Sequence, residues 1–202
     1  MEAIEMPTRL SATDYLAGER RSETRHEYIG GHVYAMAGAS EEHNVIAGNI
    51  FAALHASLRG RPCRVFMADM KVALDIAGEE IFYYPDVMVA CDPLDRDRYS
   101  KRFPKVLIEV LSPETERTDR REKLFSYTQI ESMEEYVLVA QERPEVEIFR
   151  RVNQWRPEIL QKAEDSLRLA SLDFQMPLGA VYDGVSVNIG EHQITTRGGV
   201  AR

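Results

Sequence analysis

The sequence predicts one α+β domain in which a mixed β-sheet is flanked by helices. The chain has 202 residues, of which 44% are hydrophobic, so it can bury one sizeable core. Two apolar runs of strand length, Ile81–Ala90 and Val106–Leu111, lie near its middle. Helical patterns precede and follow the strands without a regular β-α alternation, which favours a mixed sheet with packed helices. We expect this domain to span residues 11–188, after an arm at 1–10 and before a flexible tail at 189–202.

The first third of the chain predicts two helices and a hairpin. Ser11 is expected to cap a short helix, because a serine side chain satisfies free amides at a helix start. The segment His26–Met36 reads as two short strands around Gly30-Gly31, which is a hairpin turn signal. Ser40 is expected to cap a second helix, whose apolar residues follow helical spacing as far as Gly60.

The middle of the chain predicts strands separated by polar connections. Cys63–Ile76 reads as one long strand and Ile81–Ala90 as a second one. Asp92–Pro104 is polar and is expected to be a loop. The strand Val106–Leu111 ends at Ser112-Pro113, because proline removes a donor from the strand ladder.

The last third predicts one more helix and further strands. Thr118 or Asp119 can cap a helix that extends through Lys123 to about Ile130. The remaining strands are expected as a pair at Glu135–Ala140 and Val146–Arg151, and as edge strands at Trp155–Leu160 and Ser166–Ala170.

Composition limits the classes of protein that this chain can be. A net charge of −8 argues against nonspecific coating of nucleic acid. No run approaches the roughly 18 apolar residues of a membrane helix, and the acidic N-terminus has no apolar signal segment. We therefore expect a cytoplasmic protein without a membrane partner. Cys63 and Cys91 lack metal-ligand spacing, so their thiols are expected to stay reduced, with a disulfide as the less favoured alternative.

One carboxylate interrupts each of the two central apolar runs. Glu109 lies in the middle of Val106–Leu111, and Asp86 follows Pro85 inside Ile81–Ala90. Glutamate is seldom fully buried unless it is paired or coordinates a ligand. If the two strands are neighbours, the carboxylates converge and repel each other, and a divalent cation would offset this repulsion. Oxygen ligands without a His/Cys cluster favour Mg²⁺ or Mn²⁺ over Zn²⁺.

An ordered set of short motifs runs through residues 11–185. The motifs are Arg25–Gly31, Met36 with Glu42-His43, Tyr84–Val87, Ile108–Thr115, Asp119-Arg120 with Lys123 and Tyr127, and Glu135-Tyr136. Together they resemble the bacterial Uma family of restriction-endonuclease-like proteins, in the PD-(D/E)XK nuclease superfamily. The resemblance implies a mixed central sheet flanked by helices, with extra strands at the C-terminal end.

The same resemblance implies an activity and a site. It implies an endonuclease that hydrolyses DNA phosphodiester bonds with Mg²⁺, for which Mn²⁺ can substitute. Asp86 and Glu109 correspond to the metal ligands, and Glu27 to an additional acid of the metal site. The lysine of the E-x-K motif would fall at Leu111, so the resemblance nominates Lys123, on the following helix, as the catalytic lysine.

Further residues are candidates for supporting roles. His43 could hydrogen-bond a catalytic carboxylate or a substrate phosphate, and Tyr127 lies one helical turn beyond Lys123. The segment 96–123 has nine Lys/Arg against six Asp/Glu in an otherwise acidic chain. Its candidate phosphate-backbone contacts are Arg96, Arg98, Lys101, Arg102, Arg117 and Arg120. A homodimer is expected, because two sites are the simplest way to cut two strands.

Structural alternatives remain open for each site residue, and two other functions remain open for the protein. A catalytically silent module of the same fold could bind nucleic acid or regulate another process. A metal-dependent hydrolase of small phosphoesters would use the same residues. The structural alternatives are a salt bridge of Glu109 with Lys105 or Lys123, a pairing of Glu27 with Arg25 or Lys71, a turn role for Asp86, backbone hydrogen bonding of His43, and an exposed helix face for Lys123.

Overall fold

The structure is a computed structural model that describes residues 9–113, 115–162 and 164–187. Residues 1–8 and the tail expected at 189–202 lie outside the described residues. The helices are α1 (Ala12–Glu19), α2 (Glu41–Ser57), α3 (Glu116–Thr118), a π-helical turn (Asp119–Lys123), α4 (Leu124–Thr128) and α5 (Leu178–Val181), with 3-10 turns at Arg151–Asn153 and Ala170–Leu172.

The strands lie in three groups along the chain. They are β1 (His26–Ile29), β2 (His32–Ala35), β3 (Arg64–Met67), β4 (Lys71–Ile76), β5 (Glu79–Tyr83), β6 (Val87–Ala90), β7 (Ser100–Lys101), β8 (Pro104–Leu111), β9 (Glu135–Ala140), β10 (Val146–Arg150), β11 (Pro157–Leu160), β12 (Ser166–Leu169) and β13 (Phe174–Pro177).

Two larger sheets and one ribbon contain these strands. The six-stranded sheet has the order β11-β10-β9-β8-β6-β3, the five-stranded sheet has the order β2-β1-β5-β4-β7, and β12 pairs with β13. The pairs β8–β9 and β4–β7 are parallel, and the other pairs are antiparallel. Both larger sheets are therefore mixed, and the predicted α+β class with flanking helices is confirmed.

The sheets and helices form layers around separate apolar clusters. The buried face of α2, with Ile46, Ile50 and Leu54, packs on one face of the six-stranded sheet. The other face of that sheet packs against the five-stranded sheet and α4, where Tyr83 and Tyr127 are buried. Helix α1 covers the outer face of the five-stranded sheet. In the described parts of the chain, no helix is long and apolar enough to cross a membrane.

Local sequence signals explain the first elements of the chain. Ser11 accepts a hydrogen bond from the amide of Asp14, and Ser40 accepts one from the amide of His43, so both predicted caps are confirmed. The predicted hairpin is also confirmed, because β1 and β2 pair antiparallel around Gly30-Gly31.

The two long strands predicted in the middle of the chain are each broken. Cys63–Ile76 forms β3 and β4, which are separated at Ala68-Asp69, where Ala68 has a φ of 47°. Ile81–Ala90 forms β5 and β6, which are separated at Tyr84–Asp86. At each break the chain crosses from one larger sheet to the other. An apolar alternation can continue through such a crossing, so the sequence pattern does not show the change of partner.

Two further boundaries and one strand pairing differ from the prediction. The helix expected to begin at Thr118 or Asp119 begins at Glu116, and both residues have helical backbone angles. The predicted loop Asp92–Pro104 contains the short strand β7. The segment at Trp155–Leu160 forms an edge strand as expected, whereas β12 pairs only within the β12–β13 ribbon.

The prediction that both cysteines are reduced is wrong for this structure. Cys63 and Cys91 form a disulfide, with their Cα atoms 3.9 Å apart. The two residues flank β3 and β6, whose antiparallel register pairs Arg64 with Ala90 and thereby places the cysteines opposite each other. The 28-residue separation in sequence gives no sign of this proximity.

Candidate functional site

Asp86 and Glu109 meet where the chain crosses between the two larger sheets. Val87 pairs with Ile108 in the antiparallel β6–β8 register, so the preceding Asp86 lies beside Glu109. The amide of Asp86 donates to Glu109 Oε2 at 3.4 Å, and the amide of Val110 donates to Asp86 Oδ2 at 2.7 Å. The expected convergence of the two carboxylates is therefore present.

Lys123 reaches the same place from the helical segment after β8. Its Nζ lies 3.2 Å from Glu109 Oε1, 3.1 Å from Glu27 Oε1 and 3.1 Å from Asp119 Oδ1. The lysine is buried, so the alternative of an exposed helix face does not apply. Glu27 comes from β1 in the five-stranded sheet and also faces the amide of Tyr84. The cluster thus joins both larger sheets and the helical segment.

The two residues predicted to support the site contact its carboxylates. Tyr127 is fully buried and donates its hydroxyl to Glu109 Oε1 at 2.9 Å. His43, in the first turn of α2, places Nε2 3.2 Å from Asp86 Oδ2. Burial disfavours the charged imidazole, but the neighbouring groups together, chiefly the hydrogen bond and charge of Asp86, outweigh burial and raise the pKa of His43. Each carboxylate of the Asp86–Glu109 pair is therefore held by a neighbour.

Asp119, which the sequence predicts as a possible helix cap, is a further acid of this site. It is buried in the π-helical turn that also contains Lys123. Its Oδ1, although close to the ammonium, has no hydrogen-bond partner of good geometry within the described residues. The four-residue spacing of Asp119 and Lys123 was the available signal, since residues so spaced share a helix face. π-turns often occur at functional sites.

The charges of the cluster do not balance. Four carboxylates (Glu27, Asp86, Glu109 and Asp119) surround one ammonium and one imidazole. Burial raises the pKa of Glu109, although the Lys123 ammonium acts in the opposite direction. Burial disfavours the ammonium of Lys123, but Glu109, Glu27 and Asp119 outweigh burial and raise its pKa. Lys123 is therefore held as an ammonium, and the site has an excess of negative charge.

A further buried acid, outside the cluster, supports the crossing that contains Asp86. Glu19, at the end of α1, accepts hydrogen bonds from the Tyr84 hydroxyl and the His26 amide, both at 2.9 Å. Lys71 donates to the same Tyr84 hydroxyl at 3.2 Å. These bonds fix Tyr84 two residues before Asp86. No motif in the sequence indicated this network.

Some of the residues predicted to contact nucleic acid are bonded to other groups of the protein, and others are exposed. Lys101 is buried and donates to the carbonyls of Asp95 and Asp97. Arg120 binds Glu116 and Glu147. Of the other candidates, Arg96 bonds a carbonyl in its own loop, Arg102 lies 4.0 Å from Glu80, and Arg98 and Arg117 are exposed.

The metal-binding capacity of the cluster rests on two acids. Among the described residues, no group of three or more His, Cys, Asp or Glu side chains has an arrangement that could hold a metal ion. Mg²⁺, however, is usually bound through one or two carboxylates, with water and substrate phosphates completing its shell. Asp86 and Glu109 adjoin each other within an excess of negative charge, so their chemistry fits such an ion. The three-acid set that includes Glu27 stays a prediction.

Two proteins of Synechocystis sp. (strain ATCC 27184 / PCC 6803 / Kazusa) are similar to the chain, and both are described as uncharacterized. The first, slr1290, is 34% identical over 182 residues, which are 88% of this chain and 94% of that protein. The second, sll1609, is 32% identical over 151 residues, which are 72% of this chain and 84% of that protein.

A solved structure and a family model complete the comparison. The crystal structure described as "a putative nuclease belonging to DUF820", from Anabaena variabilis ATCC 29413, has a TM-score of 0.65 at 16% identity, and the match covers 80% of this chain and 92% of that one. This likeness shows a shared fold. The model of the Uma2 family, described as "Putative restriction endonuclease", matches residues 12–179. The chain therefore belongs to the Uma2 family.

Proposed function

We propose that this protein is an endonuclease that hydrolyses DNA phosphodiester bonds with a bound divalent cation, Mg²⁺ or in its place Mn²⁺. Membership of the Uma2 family and the nuclease-like fold support nuclease function. The observation on which the proposal rests is the contact of Lys123 with Glu109, beside Asp86, at the crossing between the sheets. Acids and an amine in this arrangement suit phosphodiester hydrolysis.

Asp86 and Glu109 would hold the cation. When bound, the cation would polarise the phosphate and lower the pKa of a water. The chain itself fixes the direction of both carboxylates, since Val110 and His43 contact Asp86 while Tyr127 contacts Glu109. Ligands that are held in place before substrate arrives need little reorganisation during the reaction.

Lys123 would supply positive charge from the protein. Its neighbours keep it as an ammonium, since Glu27, Glu109 and Asp119 raise its pKa. An ammonium at this position can donate hydrogen bonds to a phosphate oxygen and stabilise the charge that develops during hydrolysis. Its burial strengthens this effect, because charges interact more strongly away from water. Lys123 would thus take the role of the E-x-K lysine, whose position in this sequence is occupied by Leu111.

The test is cleavage of supercoiled plasmid and of circular single-stranded DNA by the purified full chain. Reactions contain Mg²⁺, Mn²⁺ or EDTA, and compare the wild type with Asp86→Asn and Glu109→Gln. Glu131→Gln is the matched control, because Glu131 is an exposed acid outside the cluster. We expect cleavage by the wild type and the control with either cation, and none in EDTA.

Three results would contradict this proposal or change it. Equal cleavage by the wild type and both site variants would point to a contaminating nuclease. A folded wild type that cuts neither DNA with either cation would favour the catalytically silent module. Hydrolysis of a small chromogenic phosphodiester, without competition by DNA, would favour a hydrolase of small phosphoesters.

A further inference from the structure

A basic cleft lies at the other end of α2 from the site. The cleft has a volume of about 380 Å³ and is lined by the end of α2, the turn that follows and the beginning of β3. Its charged or ionisable lining residues are His55, Arg59, Arg61 and Arg64. None of these residues takes part in the cluster around Glu109, so the cleft needs its own explanation.

The segment that forms the cleft is free of acids. Residues 43–68 contain three arginines and two histidines but no Asp or Glu, in a chain whose net charge is −8. Within the described residues, Arg59 and Arg64 are exposed and have no side-chain hydrogen bond or ion pair. Arg61 is anchored, because its Nη1 donates to the carbonyl of Leu172 at 2.8 Å and its Nη2 lies 3.9 Å from Asp173 Oδ2. Two free guanidinium groups therefore share a cleft with a third, fixed one.

This arrangement differs from the basic stretch at residues 96–123. There, Lys101 donates to backbone carbonyls and Arg120 is bound by Glu116 and Glu147. In the cleft, Arg59 and Arg64 have no such competitor. Guanidinium groups suit phosphates, because their donors match two phosphate oxygens at once. The free cations of the cleft thus fit a phosphate-bearing ligand.

The cleft lies on the same strand pair as Asp86. Strand β3 is the outer strand of the six-stranded sheet and pairs with β6, which begins directly after Asp86. Arg64 is three residues from the Met67–Val87 pair, or about 10 Å along the strand. Helix α2 also connects the two places, from His43 at the site to His55 at the cleft, a rise of about 18 Å.

These distances match a short stretch of nucleic acid. One strand of B-DNA places a phosphate about every 3.4 Å along the helix axis, so 10–18 Å corresponds to roughly three to five nucleotides. The frame of the cleft is also fixed, because the Cys63–Cys91 disulfide ties the beginning of β3 to the end of β6. A phosphate held in the cleft would therefore lie at a set distance from Asp86.

We propose that the cleft binds backbone phosphates of the DNA strand about three to five nucleotides from the bond that is cut. This proposal rests on the proposed nuclease function and names how its substrate is held. Such contacts position the strand without reading its sequence. The cleft therefore sets the register of the substrate on the protein.

The test measures DNA binding in EDTA, where no cleavage takes place. A fluorescently labelled duplex of 20 base pairs and a single strand of the same length are titrated with the full chain over a series of salt concentrations. Arg59→Gln/Arg64→Gln is compared with the wild type and with Arg21→Gln/Arg168→Gln. This control removes the same charge from two exposed arginines outside the cleft.

The cleft variant should bind both the duplex and the single strand more weakly than the wild type does. For the duplex, a plot of log affinity against log salt concentration should become less steep. The magnitude of its negative slope should decrease by about 2, since each phosphate contact contributes about 1. The control should keep the wild-type slope. An unchanged slope in the cleft variant, an equal change in the control, or no DNA binding by the wild type would each overturn the proposal.

The same experiment separates this proposal from the nuclease function. If the cleft variant loses binding while the wild type cuts no DNA with Mg²⁺ or Mn²⁺, the cleft proposal is supported and the nuclease proposal fails. If Asp86→Asn abolishes cleavage while the cleft variant binds and cuts like the wild type, the nuclease proposal is supported and the cleft proposal fails.

Discussion

Two buried glutamates on neighbouring strands show how differently a fold can treat the same side chain. Glu109 on β8 and Glu135 on β9 are 3% and 2% exposed, and the strands that contain them are paired in parallel. Glu135 accepts bonds from Arg150 Nε at 3.1 Å, from the Ser171 hydroxyl at 2.6 Å and from the amide of Ala170 at 3.0 Å. Both carboxylate oxygens of Glu135 therefore accept hydrogen bonds, and its charge is paired with that of Arg150.

Glu109 lies among an excess of acids. Its Oε1 accepts bonds from Lys123 and Tyr127, but the same ammonium also faces Glu27 and Asp119. Among the described residues, its Oε2 has only a 3.4 Å contact, with the amide of Asp86. The buried Glu135–Arg150 pair is matched, since the second carboxylate on Arg150, that of Glu158, is half exposed. The buried acids around Glu109 outnumber their cations, which leaves capacity for a further cation. We infer that Glu135 is structural and that Glu109 belongs to the functional site.

The largest expected effect is on cleavage by Glu109→Gln. Removing this charge should lower the cleavage rate about a hundredfold to a thousandfold, because the site loses one of the two carboxylates that would hold the cation beside the phosphate. The amide keeps an acceptor for Tyr127, so the protein should still fold. Plasmid cleavage rates per folded molecule, with circular dichroism of the same samples, measure both effects. A variant that cuts as fast as the wild type would remove the distinction between the two glutamates.

The next effect is on stability by Glu135→Gln. This change leaves Arg150 without its buried carboxylate, so the free energy of unfolding should decrease by about 3 kcal/mol. Cleavage per folded molecule should stay at the wild-type level. Urea unfolding measures the first result, with Glu131→Gln as the exposed control. If Glu135→Gln abolishes cleavage in fully folded protein, the structural assignment of Glu135 is wrong.

A smaller effect is expected from Asp119→Asn. The amide keeps the shape of the side chain but removes one charge that holds Lys123, so kcat should decrease about tenfold while KM stays unchanged. Steady-state kinetics on a labelled DNA duplex separate the two constants. An increase in KM alone would show that Asp119 acts on substrate binding and not on the lysine.

The smallest effect is a pH dependence of stability. Burial raises the pKa of Glu109 in the folded state above the ordinary 4.5, so the folded protein binds this proton more tightly than the unfolded chain. The stabilisation is complete below pH 4.5 and is lost as the pH increases through the raised pKa. Glutamine does not ionise, so Glu109→Gln does not lose this stabilisation. The melting temperature of the variant, relative to that of the wild type, should therefore increase from pH 4.5 to pH 8. A constant difference over that range would contradict the raised pKa.

The sequence predicts which side chains lie together around Glu109 better than it predicts the strands. Pro85-Asp86 and the Glu109 strand stand out because a carboxylate in an apolar run needs a partner. The breaks at Ala68-Asp69 and Tyr84–Asp86 do not stand out, because the apolar pattern continues while the chain changes sheets. Strand partners depend on contacts between distant segments, and local periodicity does not report these contacts.

Asp119 and the disulfide illustrate the same limit. Asp119 precedes a helical pattern and is a reasonable cap, but the helix begins earlier and a π-turn directs its carboxylate to Lys123. Cys63 and Cys91 become neighbours only through the register of β3 with β6. The cytoplasmic location and the homodimer stay predictions.

Calorimetric titration of Mn²⁺ into the full chain tests the central claim most directly. The claim is that the excess of negative charge around Glu109 is a cation site. We expect Mn²⁺ to bind the wild type and the Glu131→Gln control alike, and to bind Glu109→Gln and Asp86→Asn at least about tenfold more weakly. Absence of Mn²⁺ binding by the wild type, or equal binding by all four proteins, would contradict the account.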